Sequence, residues 1–287
     1  MDTQLIIERL NHSGKRLSKG HSRIAEYIAS QPDKAAFMTA VTLGRSCGVS
    51  ESTVVRFAVA MGYEGYPELQ DALQELVRQR LTAVQRFEIA SSISESDVLQ
   101  TVLGNDMQNI RRTMEELSRS DFDDVVERML DAHHIYVMGL RSAAPLAAFF
   151  AHYLHLVFDE VVLVQNATGD VYEEISRIGP KDLLLGISFP RYSTRTVESM
   201  RFARDNGAQV VALTDGEMSP LRDVSDVCLC AHTNMASFVD SLAAPLSVLN
   251  ALIVSLSLHR REELGAHLKK LEEIWNAQRV YIDREHE

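Results

Sequence analysis

Residues 40–61 read AVTLGRSCGVSESTVVRFAVAM, from Ala40 to Met61. The stretch has the layout of a helix-turn-helix, the unit that lays its second helix in the major groove of DNA. A first short helix runs from Val41 to Cys47. Gly48 makes the turn, because glycine takes a left-handed backbone without steric penalty. Ser50 is placed to cap the second helix by accepting a backbone N–H near Thr53. Leu43, Val49, Val54, Phe57 and Met61 then fall on the inner side, and small Gly44 lets the two helices close. Ser50, Glu51, Ser52, Val55 and Arg56 face outward; with Thr53 they are the candidate DNA-binding residues. The bland alternative is a helical hairpin within an ordinary helical domain.

Outward from this stretch, residues 1–80 read as an all-α domain of five helices. Leu5–Leu10 is apolar-periodic. Ser18–Ser30 carries Ile24, Ala25 and Ile28 at helical spacing and ends at Gln31-Pro32. A short segment, Pro32–Met38, leads into the helix-turn-helix. Gly62, Gly65 and Pro67 punctuate its exit, and Pro67 suits the first turn of a helix to about Arg80. Residues 81–120 read as a helical connector. Its helix carries Leu99, Leu103, Met107, Ile110, Met114 and Leu117, a narrow apolar stripe. Either the stripe packs on its own C-terminal domain or it meets a second copy.

Residues 121–287 change character. Apolar runs at Ile135–Gly139, Val161–Val164, Leu183–Ser188, Val210–Thr214 and Val227–Ala231 alternate with helical stretches at Ala143–Phe158, Asp170–Ile178 and Thr194–Asn206. Continuously apolar strands separated by helices indicate an α/β domain with a doubly wound parallel five-stranded sheet. Two long helices follow, about Phe238–Leu258 and Glu262–Ile282.

The 287 residues carry a formal net charge of −11. Residues 1–80 hold 10 Lys/Arg against 9 Asp/Glu, and residues 81–287 hold 19 against 31. A near-neutral head on an acidic body cannot bind DNA by bulk charge, so specificity and pairing of heads must supply affinity. Cys47, Cys228 and Cys230 are too few for a disulfide framework, and no apolar run is long enough to span a membrane. A cytoplasmic protein with no membrane partner is expected.

In an open parallel sheet, ligands bind beyond the carboxyl ends of the strands, where strand order reverses. Two post-strand loops carry the chemistry for an anion: 139–143 (GLRSA) and 188–196 (SFPRYSTRT). Each runs into a helix start, where free N–H groups and hydroxyls attract anions. Arg141 and Arg191 add donors shaped for phosphate. The candidate effector-binding residues are Gly139, Arg141, Ser142, Ser188, Arg191, Tyr192, Ser193 and Thr196. Against this, Ser193 or Thr194 need only cap a helix, and the arginines need only pair with nearby acids.

With these residues quoted, the chain resembles the RpiR-type bacterial transcriptional regulators, which join an N-terminal helix-turn-helix to a C-terminal sugar isomerase (SIS) domain. Residues 48–57 (GVSESTVVRF), 61–66 (MGYEGY), Ile135–Ser142, Leu183–Ser188 and 207–215 (GAQVVALTD) carry the likeness. The resemblance implies a phosphosugar-sensing regulator that dimerises through its SIS domains, with sheet order 2-1-3-4-5. Strands one and three then flank the switch point, and they precede the two loops. The usual SIS pattern Gly-x-Gly-x-Ser has Arg141 in place of its second glycine here. The usual Ser-x-Ser-Gly-x-Thr is interrupted by Pro190 and Arg191, with Ser193 and Thr196 the nearest equivalents. These departures make the pocket more cationic and admit a carboxylated sugar derivative beside a phosphosugar.

Isomerisation needs a base beside the sugar carbons, and neither loop holds Glu or His. A base would have to come from Glu173, Asp240 or His259. The expectation is therefore a regulator and no enzyme, with a sugar-phosphate isomerase or lyase as the alternative. A helical interaction module without DNA binding is the third reading. Asn166, Thr168 and Asp170 follow strand two, where Asp170 suits a helix cap. His133-His134 and the pair His152 and His155 lack a third ligand, so no metal and no cofactor are expected. The expected partners are double-stranded DNA with an inverted-repeat operator, a small anionic sugar, and further copies of the chain as a homodimer or homotetramer. The domains are then 1–80, 81–120 and 121–287.

Overall fold

The computed structural model describes residues 18–78, 82–90, 95–165, 169–235 and 239–281. The chain divides into two compact units, Met1–Glu95 and Ser96–Glu287.

The first unit is helical. Its described helices are α1 (Lys19–Ser30), α2 (Pro32–Ala35), α3 (Ala40–Cys47), α4 (Glu51–Ala60), α5 (Tyr66–Arg78) and α6 (Ala83–Ala90). The expected segment Leu5–Leu10 lies outside the described residues. Ser18 caps α1 and Thr39 caps α3, each accepting a backbone N–H three residues on. Gly48 ends α3 in the left-handed region at φ 66°. A Cβ at Gly44 would lie 2.9 Å from the Val49 carbonyl, so only a hydrogen side chain lets α3 meet the turn into α4. Ile24, Leu43, Val54, Phe57, Leu69 and Leu73 are fully enclosed, each contributing about 1.5–3 kcal/mol by burial. Val49 and Met61, expected inside, are half-buried. Helix α5 is tied to the segment before α3: Tyr66 Oη donates to the Met38 carbonyl at 2.6 Å, and Gln74 Nε2 to Ala36 at 3.1 Å. Burial, with a smaller push from Cys47, raises the Tyr66 phenol to about 12.

One local expectation fails. Ser50 occupies the N-cap position of α4 but makes no side-chain bond to a backbone N–H. Its Oγ lies 2.9 Å from both Ser52 Oγ and Thr53 Oγ1. Three neighbouring hydroxyls satisfy one another instead of the helix end.

The second unit opens with a 3-10 turn and α7 (Val98–Glu116), then α8 (Arg119–Asp131), β1 (Ile135–Gly139), α9 (Ala144–Val157), β2 (Val161–Val164), α10 (Val171–Glu174), β3 (Leu183–Ile187), α11 (Thr194–Asp205), β4 (Gln209–Thr214), β5 (Val227–Cys230), α12 (Ala243–His259) and α13 (Arg261–Gln278). The strands form one parallel sheet in the order β2-β1-β3-β4-β5. Alternate residues feed two cores. Ile135, Val137, Leu185 and Leu213 pack with α8, α9 and α12. Tyr136, Met138, Leu184 and Ala212 pack with α10 and α11. A Cβ at Gly186 would run into the Met200 thioether, so α11 lies tight on β3. Connections leave β1 toward β2 and β3 toward β4, so strand order reverses between β1 and β3, as in doubly wound sheets.

The region read as a connector divides between the units: α6 belongs to the first and α7 to the second. Helix α7 meets its own unit through a polar edge. Asn109 Nδ2 donates to the Asn234 carbonyl at 2.9 Å, and Asn109 Oδ1 accepts from Asn234 N–H at 3.1 Å. Thr113 Oγ1 accepts from His232 N–H at 2.8 Å, and Ser241 Oγ donates to Asp106 at 2.6 Å. Much of the apolar stripe stays exposed, Met107 and Met114 at 69% and 75%, while Leu117 at its end packs on the unit's own core. Helix α10 is half the expected length. Ile175 and Ile178 are buried at helical spacing, but the backbone leaves the helix at Ile175 and passes through turns toward Gly179-Pro180. Helix α12 begins at Ala243, later than expected, with Pro245 in its first turn.

Candidate functional site

On α4, Ser50, Glu51, Ser52, Val55 and Arg56 are exposed and Thr53 is half-buried. The Thr53 methyl turns toward α1, where a Cβ at Gly20 would sit 3.2 Å from it. Arg56 Nε donates to the Ser52 carbonyl at 3.2 Å, which parks the guanidinium along the helix. Val59 continues this outward face at 54% exposure; the reading of the sequence stopped one turn short of it. Arg23 on α1 reaches the Gly48 turn, its Nη1 being 3.7 Å from where a Cβ there would stand. Arg45 is exposed in the last turn of α3. The surface is a short polar helix end with arginines beside it, suited to base edges in the groove and phosphates at its rim.

At the carboxyl end of the sheet, Gly139 pairs with Ile187, so the loops after β1 and β3 leave side by side. A Cβ at Gly139 would stand 2.6 Å from the Ala143 carbonyl; glycine lets the 3-10 turn Arg141–Ala143 fold back over the strand. Arg141 and Ser142 are exposed on that turn. In the second loop, Ser188 Oγ accepts from Ser193 N–H at 3.1 Å, and Ser193 Oγ caps α11 by accepting from Thr196 N–H at 3.3 Å. Beneath it, Thr214 Oγ1 donates to the Ser188 carbonyl at 2.8 Å and stands 2.7 Å from Ser219 Oγ. Tyr192 Oη donates to Asp215 Oδ1 at 2.8 Å. Thr214, Asp215 and Ser219 come from the ends of β4 and its following turn. Only the strand order reveals them as supports, because they are distant in sequence.

Ser193 therefore caps its helix, as the bland alternative held. Thr196 is fully enclosed, its Oγ1 without a partner, and it sits behind the loop rather than on it. Asp170 caps α10 through Tyr172 N–H at 3.1 Å and pairs with Arg195 at 2.7 Å. Asn166 and Thr168 lie outside the described residues. Arg141 and Arg191 behave differently from Arg195: neither pairs with an acid among the described residues. Both also hold left-handed backbone, at φ 58° and φ 66°. That conformation costs a non-glycine residue about 1–2 kcal/mol, and such strain gathers where function holds it in place. In the first turn of α11 the Thr196 N–H is taken by the Ser193 cap, and the Thr194 and Arg195 N–H groups have no partner within the helix.

Residues 4–80 match the helix-turn-helix domain of the rpiR family, and residues 128–255 match the SIS domain. The chain belongs to the RpiR-type transcriptional regulators. The HTH-type transcriptional regulator HexR of Pseudomonas aeruginosa is 27% identical, over 98% of this chain and 99% of that protein. The sugar isomerase domain of an RpiR transcription factor from Sphaerobacter thermophilus superposes with a TM-score of 0.59 at 25% identity, covering 62% of this chain and 99% of that one. The Vibrio vulnificus NanR protein, complexed with ManNAc-6P, superposes with a TM-score of 0.58 at 22% identity over 95% of this chain and 98% of its own. The RpiR-type assignment makes this chain a DNA-binding transcriptional regulator with a SIS domain. Among the described residues no single helix is long and apolar enough to cross a membrane.

Elsewhere in the SIS domain, Cys228 and Cys230 project from one face of β5, with Sγ atoms 4.0 Å apart. Arg222 Nη1 lies 3.6 Å from Cys230 Sγ. The hydrogen bond from Cys228, aided by Arg222, holds the Cys230 thiol below its ordinary value.

Proposed function

We propose that this regulator couples operator binding to a small anionic sugar held between the loops after β1 and β3. A phosphosugar or an acidic sugar derivative is the ligand class. The observation that carries this is the pair Arg141 and Arg191, two uncompensated guanidinium groups on left-handed backbone where the connections leaving the paired strands β1 and β3 diverge. Ser142, Ser188 and Tyr192 add hydroxyls for the sugar, and Gly139 and Ser193 shape the two loops. Thr196 enters only through the loop it braces. NanR in complex with ManNAc-6P supports a sugar phosphate as the class.

Ser50, Ser52 and Arg56 meet bases or phosphates, with Glu51 accepting from a cytosine amino group; Thr53 and Val55 complete that face. Two heads on a two-fold axis read an inverted repeat. The exposed stripe of α7 supplies the contact for a homodimer or homotetramer in the cytoplasm. Helix α7 is also gripped by residues 232–234 and Ser241, on the segment leaving β5 at the pocket end of the sheet. An effector that binds one arrangement of that segment more tightly shifts the regulator toward it.

No chemistry is assigned to the pocket. His259 ends α12, whose 17 residues place it roughly 24 Å down the helix from Ala243 at the pocket end. Arg56→Ala weakens operator binding and leaves effector binding intact. Ser188→Ala with Arg191→Ala does the reverse. Gel shifts and thermal-shift titrations against sugar phosphates and sugar acids read the two activities. Loss of both in one folded variant sinks this division of labour, and turnover of a phosphosugar sinks the non-enzymatic assignment.

A further inference from the structure

At the end of the sheet opposite the loops after β1 and β3, three side chains converge that the proposed regulation does not use. His133 and His134 precede β1, and Asp182 precedes β3. The backbone is already paired there: His133 N–H donates to the Lys181 carbonyl at 2.8 Å, and Leu183 N–H to the His134 carbonyl at 3.0 Å. The side chains thus stand on a fixed base. The Nδ1 atoms of His133 and His134 are 3.0 Å apart, and His134 Nδ1 is 2.8 Å from Asp182 Oδ1. One ligand atom from each residue lies within 4.8 Å of the other two. Asp182 is buried, and its second oxygen accepts from Gly179 N–H at 2.8 Å.

Counting protons shows what the cluster lacks. A neutral imidazole has one N–H and one lone pair. If His134 Nδ1 keeps a proton for Asp182, it has no lone pair for His133. If it offers a lone pair to a His133 proton, that lone pair faces the carboxylate at hydrogen-bond distance. At best one His134 N–H is shared between His133 Nδ1 and Asp182. A divalent cation instead takes a lone pair from each of the three atoms.

We propose that His133, His134 and Asp182 form a site for a divalent first-row transition ion such as Zn²⁺, with solvent in the fourth position. Zn²⁺ binds imidazole and carboxylate at about 2.0–2.2 Å in tetrahedral geometry, which sets ligands about 3.4 Å apart. A small opening of the two rings therefore admits it. Two imidazoles and a carboxylate are a donor set for ions of this borderline class. Gly179 orients the ligating carboxylate, and Glu160 faces the other ring nitrogen of His134 at 3.9 Å. Outer partners of this kind tune ligands in metal sites. In the sequence the histidine pair has no third ligand, because Asp182 lies 48 residues away and arrives only through the pairing of β1 with β3. The bound ion would clamp the starts of these two strands.

The test uses the full chain after chelator treatment, titrated with Co²⁺ and then Zn²⁺. The site predicts saturable visible d–d absorption of a low-coordinate Co²⁺, equimolar with chain and displaced by Zn²⁺. His133→Ala and His134→Ala each weaken binding at least about tenfold, while His152→Ala leaves it unchanged. His133 is exposed, so its removal tests the site without endangering the fold, which circular dichroism verifies. Absence of a saturable signal overturns the proposal, and so does wild-type affinity in both the His133 and His134 variants.

Discussion

Replacing Arg191 by glycine should make the SIS unit more stable and the regulator less responsive at once. Arg191 sits at φ 66° with its guanidinium exposed. A left-handed backbone costs a residue with a Cβ about 1–2 kcal/mol, which glycine does not incur. Glycine gives back about 0.5–1 kcal/mol through the extra freedom of the unfolded chain. The net gain is centred on about 0.75 kcal/mol and reaches at most about 1.5 kcal/mol, a rise of up to roughly 6 °C in the melting of a unit this size. Removing a charged hydrogen bond to a phosphate or carboxylate loses about 1.5–3 kcal/mol of binding, a weakening of roughly ten- to a hundredfold. Arg191→Ala is the control, because alanine keeps the backbone cost and loses the charge. Differential scanning fluorimetry of both variants, alone and against a panel of sugar phosphates and phosphorylated sugar acids, reads the two effects. Equal melting of the glycine and alanine variants without ligand refutes the strain. Undiminished ligand-induced shifts in both variants refute the role of the charge.

Three further outcomes follow from the same geometry. Gly44→Ala forces a methyl to 2.9 Å from the Val49 carbonyl and should destabilise the helical head by about 1–3 kcal/mol, seen in its denaturant midpoint with the SIS unit unaffected. Met107→Glu with Met114→Glu charges the exposed stripe of α7 and should lower the mass measured by light scattering. That change should weaken binding to a two-half-site operator more than to one half-site. Cys230, held below the ordinary thiol value by Cys228 and Arg222, should alkylate faster than Cys47 at neutral pH. Its rate should fall off at lower pH than that of a free thiol, and Arg222→Ala should move that fall upward; peptide mapping after pulse labelling reads the site.

Hydrophobic period and turn chemistry made most of the fold legible. The strands at Ile135–Gly139 and Val161–Val164 were readable because every residue there packs on one of two covered faces. Gly48 was readable because its backbone demands it. The stretch Asp170–Ile178 is helical only to Glu174, because the apolar spacing of Ile175 and Ile178 suits a turn as well as a helix. On α7, spacing marks an amphipathic helix but leaves open which face docks. Asn105, Asn109 and Thr113 dock by hydrogen bonds and Leu117 packs at the end of the helix, while Leu99, Leu103 and Met107 are left exposed. At the proposed effector site, residue type and position after a strand single out Arg141, Ser142, Ser188 and Arg191 as candidates. Thr196 is buried behind the loop, a depth that hydroxyl content does not report. Thr214, Asp215 and Ser219 were out of reach because they join the site through the adjacency of β3 and β4. Asp182 escaped the sequence for the same reason at the other end of the sheet.

The proposed anionic sugar at Arg141 and Arg191 is to govern the DNA-reading helix α4. Fluorescence anisotropy of labelled operator, titrated with the full chain at fixed salt, tests it directly. With a sugar phosphate that raises the melting temperature of the SIS unit, operator affinity should change by about five- to a hundredfold. In Arg141→Ala, Arg191→Ala the same titrations should coincide with and without ligand. An operator affinity indifferent to a ligand that demonstrably occupies the pocket would contradict the account.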